Sequence, residues 1–477
     1  MLFSSIEFLC GFLPLTLLIY YLLPWRTVRN RFLLLMSLIF YAWGEPLYVL
    51  LMMACICGNW AFGLLAGRWR GEKRGMLLLA AMLVFDLGLL AVFKYAGFAV
   101  STVNSLLGLA LPVPRVVLPI GISFFIFQGI SYVIDVWRGE AEQRRNVLDV
   151  GLYIAFFPQL IAGPIVRYNT IAAEISGRRE TWDDFVSGIE LFIIGLGKKV
   201  LLANNFAIAA DKIFDTGGYE SISIGAAWVG AAAYTLQIYF DFGGYSDMAV
   251  GLGRMFGFHF LPNFNYPYIA RSVTDFWRRW HMSLSQWFRD YVYIPLGGNR
   301  RGTARMLLNL LAVWLLTGLW HGANWTFVLW GLYYFVFLVA EKLTGLAKVL
   351  PRLPLISNLL VLVIVMIGWV LFRAPDVDAA FAYIGAMFGV FGNPPVDETF
   401  FFQTSENAVH FLIAAVACVP VLPALGRRLA AVGIVPGQGV GGRVLGMARD
   451  VLLLLILLLA LASLAKGSYN PFIYFNF

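Results

Sequence analysis

The chain has 477 residues, of which 60 % are hydrophobic, 16 % aromatic and 13 % charged, with a mean hydropathy of +0.77. Soluble domains carry about 25 % charged residues, so this chain lacks the polar surface to cover itself in water, and lipid must solvate most of it. Its net charge of +8 sits in short clusters between apolar runs: Arg26, Arg29 and Arg31, then Arg68, Arg70, Lys73 and Arg74, then Arg138, Arg144 and Arg145, and later Arg300, Arg301 and Arg305. That is the pattern of cytoplasmic loops under the positive-inside rule; it excludes a soluble class and gives no reason to invoke a nucleic-acid partner.

The first apolar run, Ile6 to Pro24, has no basic flank before it and no small-residue cleavage signature, so it is expected to be retained as a helix rather than removed as a signal peptide. A spanning helix needs about 20 apolar residues. Candidate segments are 5–24, 31–44, 46–66, 76–98, 117–137, 149–166, 184–206, 222–241, 305–320, 323–345, 356–373, 408–424 and 449–465. The expected fold is all-α and polytopic, with roughly eleven to thirteen membrane segments in one domain covering 1–477. Several segments are short, so re-entrant and interfacial helices are expected among them. The first three basic loops fall on one side if each intervening segment crosses once, which puts the N-terminus outside. Helix breakers recur at Pro119-Ile120-Gly121, Ala162-Gly163-Pro164 and Gly243-Gly244; at membrane depth such breaks need a polar cavity, though surface loop ends would look the same.

Four cysteines, Cys10, Cys55, Cys57 and Cys418, lie in apolar stretches and read as small hydrophobes, not as a disulfide framework or a zinc site. No nucleotide-binding loop, HExxH helix or G-x-S-x-G elbow is present.

Asp241 and Asp247, in the run Tyr239-Phe240-Asp241-Phe242-Gly243-Gly244-Tyr245-Ser246-Asp247, are carboxylates in or beside a span, where they rarely face lipid. They are expected to orient a histidine, pair with an arginine or stabilise the glycine break. Ser272 to Tyr291 reads as one amphipathic interfacial helix, opened by Ser272 and Asp275 as a capping-box-like start. Phe276, Trp277, Trp280, Leu284, Trp287, Phe288 and Tyr291 share one arc; Asp275, Arg278, Arg279, Gln286, Arg289 and Asp290 share the other. His281 falls at the border. A surface anchor and a cavity-facing histidine fit this periodicity equally well.

Leu319-Trp320-His321-Gly322-Ala323-Asn324-Trp325 puts one of only four histidines in or at the end of an apolar helix. Charged side chains there cost about 2.5–3.5 kcal/mol on insertion scales. A neutral imidazole can take a proton from a hydroxyl, worth about 10²–10⁴-fold in rate. The alternative is a histidine bonded between packed helices for structure alone. Gly318 and Gly322 either open the imidazole to a substrate or let helices pack closely. His259 and His410 read as structural.

At these residues the chain resembles the membrane-bound O-acyltransferase family, and within it the bacterial branch of alginate O-acetylation proteins. The matching blocks are Tyr239 to Ala249, Pro262-Asn263-Phe264-Asn265 with Pro267-Tyr268, Phe276-Trp277-Arg278-Arg279-Trp280-His281 with Ser283-Leu284-Ser285, Arg289-Asp290-Tyr291, Leu296-Gly297-Gly298-Asn299-Arg300 and Gly318 to Trp325. The opening Met1-Leu2-Phe3-Ser4-Ser5, Leu118 to Phe124, Ile161 to Ile165 and the closing Phe472-Ile473-Tyr474-Phe475 also resemble that branch. No motif falls between about residues 345 and 465.

The resemblance implies helices around a central funnel that narrows to His321 as the catalytic residue, with His281 as the second signature position, which is asparagine in many relatives. Asp241, Tyr245, Trp280, Arg279, Trp320 and Asn324 are the further pocket residues it suggests. It implies no bound cofactor or metal, a cytoplasmic thioester donor (acetyl-coenzyme A or another acyl thioester), and a polysaccharide acceptor such as alginate or a downstream periplasmic acetyltransferase. Acylation of peptidoglycan or D-alanylation of teichoic acid are siblings within the class. A solute or lipid-linked sugar transporter is the reading from another class, and a silent scaffold a third; no internal repeat of the transporter kind is visible.

Overall fold

The computed structural model describes residues 1–161, 163–216, 218–432, 438–467 and 469–473. Ala162 of the expected break, and Tyr474 and Phe475 of the closing block, lie outside the described residues. The fold is helical, with no strand among the described residues. The chain groups into two compact units, Met1–Phe192 with Met248–Leu261, and Ile193–Asp247 with Pro262–Asn476.

Among the described residues, six helices are long and apolar enough to cross a membrane: Tyr48–Arg68, Lys73–Leu107, Gly302–His321, Trp325–Thr344, Pro354–Arg373 and Gly439–Ala465; a pair bent by 52°, Ala408–Ala417 with Val421–Ala431, makes up to seven. Of the roughly eleven to thirteen membrane segments expected, which included short and re-entrant ones, these six or seven have the length of a full span among the described residues. The other apolar runs fold as shorter or interrupted helices. The first is a π-turn over Glu7–Phe12 followed by only ten residues, Leu13–Leu22. The expected 149–166 segment divides into Val147–Ala155 and Phe157–Leu160. Counting apolar residues cannot see where a backbone breaks within them.

Two expected breaks behave differently. Gly121 adopts a left-handed φ of 75° and the Ile122–Arg138 helix starts directly after it. Gly243-Gly244 breaks nothing: the helix runs unbroken over Ile224–Met255. A Cβ on Gly244 would lie 2.6 Å from the carbonyl oxygen of Gly195, so the residue serves close helix approach rather than a turn.

In the first unit, buried polar groups are heavily cross-linked. The Arg178 side chain donates from Nε to the Phe256 carbonyl (2.9 Å) and from Nη2 to the Tyr20 hydroxyl (3.0 Å). Tyr20 donates to Glu180 (2.6 Å), which also pairs with Arg26 (3.2 Å) and Arg29 (3.4 Å). Arg26 and Arg29 of the first basic cluster, which lies in the first turns of the Arg26–Gly44 helix and not in a loop, thus help hold this unit together. Half-exposed His259 sits between Glu174 (2.9 Å) and Asp184 (3.2 Å), the structural use expected of it. Burial pushes its imidazole down, but the hydrogen bonds and charges of the two carboxylates outweigh that, and its pKa is raised. All four cysteines are free.

The second unit carries the helices that bear the signature residues. Gly302–His321 and Trp325–Thr344 pack against each other through small residues: a Cβ on Gly318 would meet the Phe327 carbonyl, and one on Gly331 the Trp314 carbonyl. Of the two uses considered for Gly318, the structure supports close helix packing.

Candidate active site

The segment expected as one interfacial helix is two, Val273–Arg279 and Met282–Phe288, joined at a corner by Trp280 and His281. His281 has φ 44° and ψ 54°, in the left-handed region. That conformation is uncommon for a residue with a Cβ and costs about 1–3 kcal/mol. The corner is held on both sides. Ser272 caps the first helix, its Oγ accepting from the Asp275 amide (2.9 Å), as the capping signature requires. A second cap comes from another helix: Glu341, 5 % exposed in Trp325–Thr344, accepts from the Val273 amide (2.6 Å), the Thr274 amide (2.9 Å) and the Thr274 hydroxyl (2.7 Å).

Beneath the corner lies a cavity of about 250 Å³ lined by residues that include Thr274, Trp277, Arg278, Trp280, His281, Trp314, Thr317 and His321. The two signature histidines therefore line one pocket. Both are buried, at 1 % and 6 % exposure for His281 and His321. His321 is the last residue of its helix, where the chain leaves helical geometry at Gly322. Its ring packs edge-on to Trp320 (4.9 Å), Trp330 (5.1 Å) and Phe372 (5.0 Å). His281 packs edge-on to Phe242 (4.7 Å) and to the same Trp320 (5.8 Å). One indole thus touches both imidazoles.

Polar contacts to His281 come from one side. Its Nδ1 lies 3.2 Å from Asn263 Oδ1 and 3.5 Å from Ser283 Oγ, while Nε2 is buried with no hydrogen-bond partner among the described residues. Burial pushes this imidazole below its ordinary pKa. The ring is thereby set against aromatic side chains, with one nitrogen unpartnered among the described residues.

The other expected pocket residues divide. Trp280 lines the cavity and stacks on Phe276 (5.6 Å), and Trp320 bridges the imidazoles. Arg279 is not among the lining residues: it pairs with Asp275 (2.9 Å) and donates to the Asn265 carbonyl (3.3 Å), bracing the corner. Asn324 caps Trp325–Thr344 through the Thr326 amide (3.1 Å) and donates to the Pro375 carbonyl (2.7 Å). Asp241 and Tyr245 face elsewhere. Asp241 pairs with Lys199 (2.7 Å) and accepts from the Ile473 amide (2.9 Å), while Tyr245 packs on Phe472 (4.6 Å). These two hold the chain's closing segment, and a sequence motif does not tell that use from a catalytic one.

Three contributors escaped the sequence reading. Arg278, read as part of the polar arc and as a candidate partner for Asp241 or Asp247, lines the cavity and forms no ion pair among the described residues. Asn263 was noted only as part of a motif. Glu341 had a signal that was not taken up, an acidic residue within an apolar span.

The helices, the buried histidine pair and the aromatic cavity together make a candidate site in a polytopic helical chain. The pattern of the membrane-bound O-acyltransferase family matches residues 117–372. The chain belongs to that family and is a multi-pass membrane acyltransferase. It is similar to the probable alginate O-acetylase AlgI of Pseudomonas putida, 41 % identical over 100 % of both chains, and to that of Azotobacter vinelandii, 40 % identical over 100 % of both. It is also similar to the peptidoglycan O-acetyltransferase of Helicobacter pylori, 33 % identical over 82 % of this chain and 80 % of that one.

Proposed function

We propose that the protein moves an acetyl group from a cytoplasmic thioester, acetyl-coenzyme A or another acyl thioester, toward hydroxyls of an exported polysaccharide, alginate or a similar exopolysaccharide. Residues 1–477 act as one functional domain in the bacterial inner membrane, with the N-terminus outside, and a downstream periplasmic acetyltransferase is the alternative immediate acceptor. The observation that carries this reading is the shared cavity of His281 and His321 in a chain alignable end to end with proteins named alginate O-acetylases.

His321 takes the proton of the attacking hydroxyl. The hydroxyl oxygen forms the new C–O bond at the thioester carbonyl, the C–S bond breaks, and the departing thiolate receives a proton to leave as a thiol. His281, which lines the same cavity, orients a reactant. Arg278 meets anionic groups of the donor, a role that a cation without a carboxylate partner can fill. The aromatic lining keeps bulk water from competing with the acceptor hydroxyl.

The test compares acetyl ester content of secreted polymer in a deletion strain carrying wild-type protein or His321→Ala. The expected result is a fall of about 10²–10⁴-fold in transfer rate, with ester content near the deletion level and with protein abundance and polymer export intact. Unchanged ester content with lost export would overturn this reading in favour of transport. Acetyl loss from peptidoglycan instead of secreted polymer would move the acceptor to that sibling.

A further inference from the structure

His281 can orient a reactant in two opposite ways. As a donor it would hold the thioester carbonyl oxygen; as an acceptor it would hold a hydroxyl. The choice depends on which ring nitrogen carries the proton, and the surroundings of Nδ1 decide it.

Asn263 Oδ1 accepts from the backbone amide of Ser283 (3.2 Å) and from the Ser283 hydroxyl (2.9 Å). Its Nδ2 donates to Ser246 Oγ (3.1 Å). A backbone N–H can only donate, so the atom facing it must be the amide oxygen; the reversed amide would set donor against donor. The backbone of Asn263 is fixed as well, its carbonyl accepting from the Met282 amide (2.9 Å). The oxygen that faces Nδ1 at 3.2 Å is therefore an acceptor. Ser283 Oγ, 3.5 Å from Nδ1, is placed to donate to the same Asn263 Oδ1 at 2.9 Å. With an acceptor on that side, Nδ1 must carry the hydrogen. Nε2 is then the bare lone pair, buried and without a partner among the described residues. Leaving a buried acceptor unfilled is unfavourable, and a bound donor removes that cost.

We propose that Asn263 is a positioning residue that locks His281 as its Nδ1–H tautomer, so that Nε2 accepts a hydrogen bond from a hydroxyl of the acceptor and does not stabilise the thioester oxyanion. This rests on the acyl-transfer reading above and narrows it: the hydroxyl-bearing reactant, not the donor's carbonyl, sits at His281. The other titratable groups among the residues lining the cavity are Arg278 and His321; Phe242 and Trp320, packed on the ring, bring none.

Two readouts test it on the full-length protein. NMR of protein carrying isotope-labelled histidine distinguishes the two tautomers, and with only four histidines the signal missing from His281→Gln identifies this ring. Wild type should give the Nδ1–H form, and Asn263→Ala should shift it toward Nε2–H. Observing Nε2–H in the wild type would overturn the proposal. The second readout is the pH profile of acetyl transfer. Asn263→Asp keeps the size and the oxygen facing Nδ1 but adds a charge that favours imidazolium, so the acid limb should move upward by about 1–3 pH units. An unmoved limb would show that the group at position 263 does not act on the His281 ring, and such a result would overturn the proposal. Being isosteric, Asn263→Asp carries the test should the alanine variant accumulate poorly. Retained transfer in both His281→Gln and His321→Ala would sink the acyl-transfer reading itself; loss in both, with an unmoved acid limb in Asn263→Asp, would sink only this assignment.

Discussion

Two buried ionisable sites in the second unit are about equally hidden from solvent and differ in how they are completed. Lys199 and Asp241 are each about 1 % exposed in their side chains, and they answer one another. Lys199 also donates to Asn204 (2.9 Å) and to the Pro471 carbonyl, and Asp241 accepts from Ile473. His281 is just as deeply buried, yet one ring nitrogen has no partner among the described residues and the ring lines a cavity. Burial alone therefore does not mark a functional group. A polar group buried with its partners is part of the framework; one buried beside an empty volume with a lone pair unfilled is available for chemistry.

The contrast can be broken most forcefully at Lys199. Lys199→Met should leave Asp241 charged and unpaired, costing about 3–5 kcal/mol, and the double variant Lys199→Met, Asp241→Leu should recover much of that. Thermal unfolding in detergent measures both; a single variant as stable as wild type would remove the structural assignment of Asp241. A smaller effect is expected at the helix crossing. Gly244→Ala places a Cβ 2.6 Å from the Gly195 carbonyl and should cost about 1–3 kcal/mol through overpacking, lowering the melting temperature with little change in the activity of the surviving protein. The smallest effect is expected at His259. Because its pKa is raised in the folded state, its stabilising contribution is complete below its ordinary value of about 6.5 and fades as pH rises through the raised one. Melting curves between about pH 5 and 9 should carry a slope that His259→Gln removes, while acyl-transfer activity is retained.

The all-helical membrane class was legible from composition, because lipid leaves no other explanation for so little charge. His321 stood out as one of only four histidines set at the end of an apolar helix, whereas periodicity left His281 open between a surface anchor and a cavity-facing residue. The rest was not, for identifiable reasons. The Ser272 to Tyr291 pattern keeps helical periodicity across residues 280–281, where the chain turns a corner, so its apolar arc was read correctly and its single helix was not. Gly243-Gly244 looked like a break because glycine is the residue of both turns and close crossings, and only the partner backbone at Gly195 separates these uses. Asp241, Tyr245, Arg279 and Asn324 carry the family motif as firmly as Trp280 does, but a motif records that a residue is needed and not whether it braces or touches a reactant. Glu341 stood out as an acidic residue within an apolar span, but nothing local tells that it caps the Thr274 amide 67 residues away.

The left-handed corner at His281 also limits what can stand in for it. Histidine, asparagine and aspartate enter that region of backbone space more readily than most other residues with a Cβ. An alanine there would alter the local chain path as well as remove the ring, whereas an asparagine would keep the path and still offer a short polar group. A scan of this position therefore measures two quantities at once, and the asparagine variant is the one that tells the loss of an imidazole from the collapse of the bend that carries it.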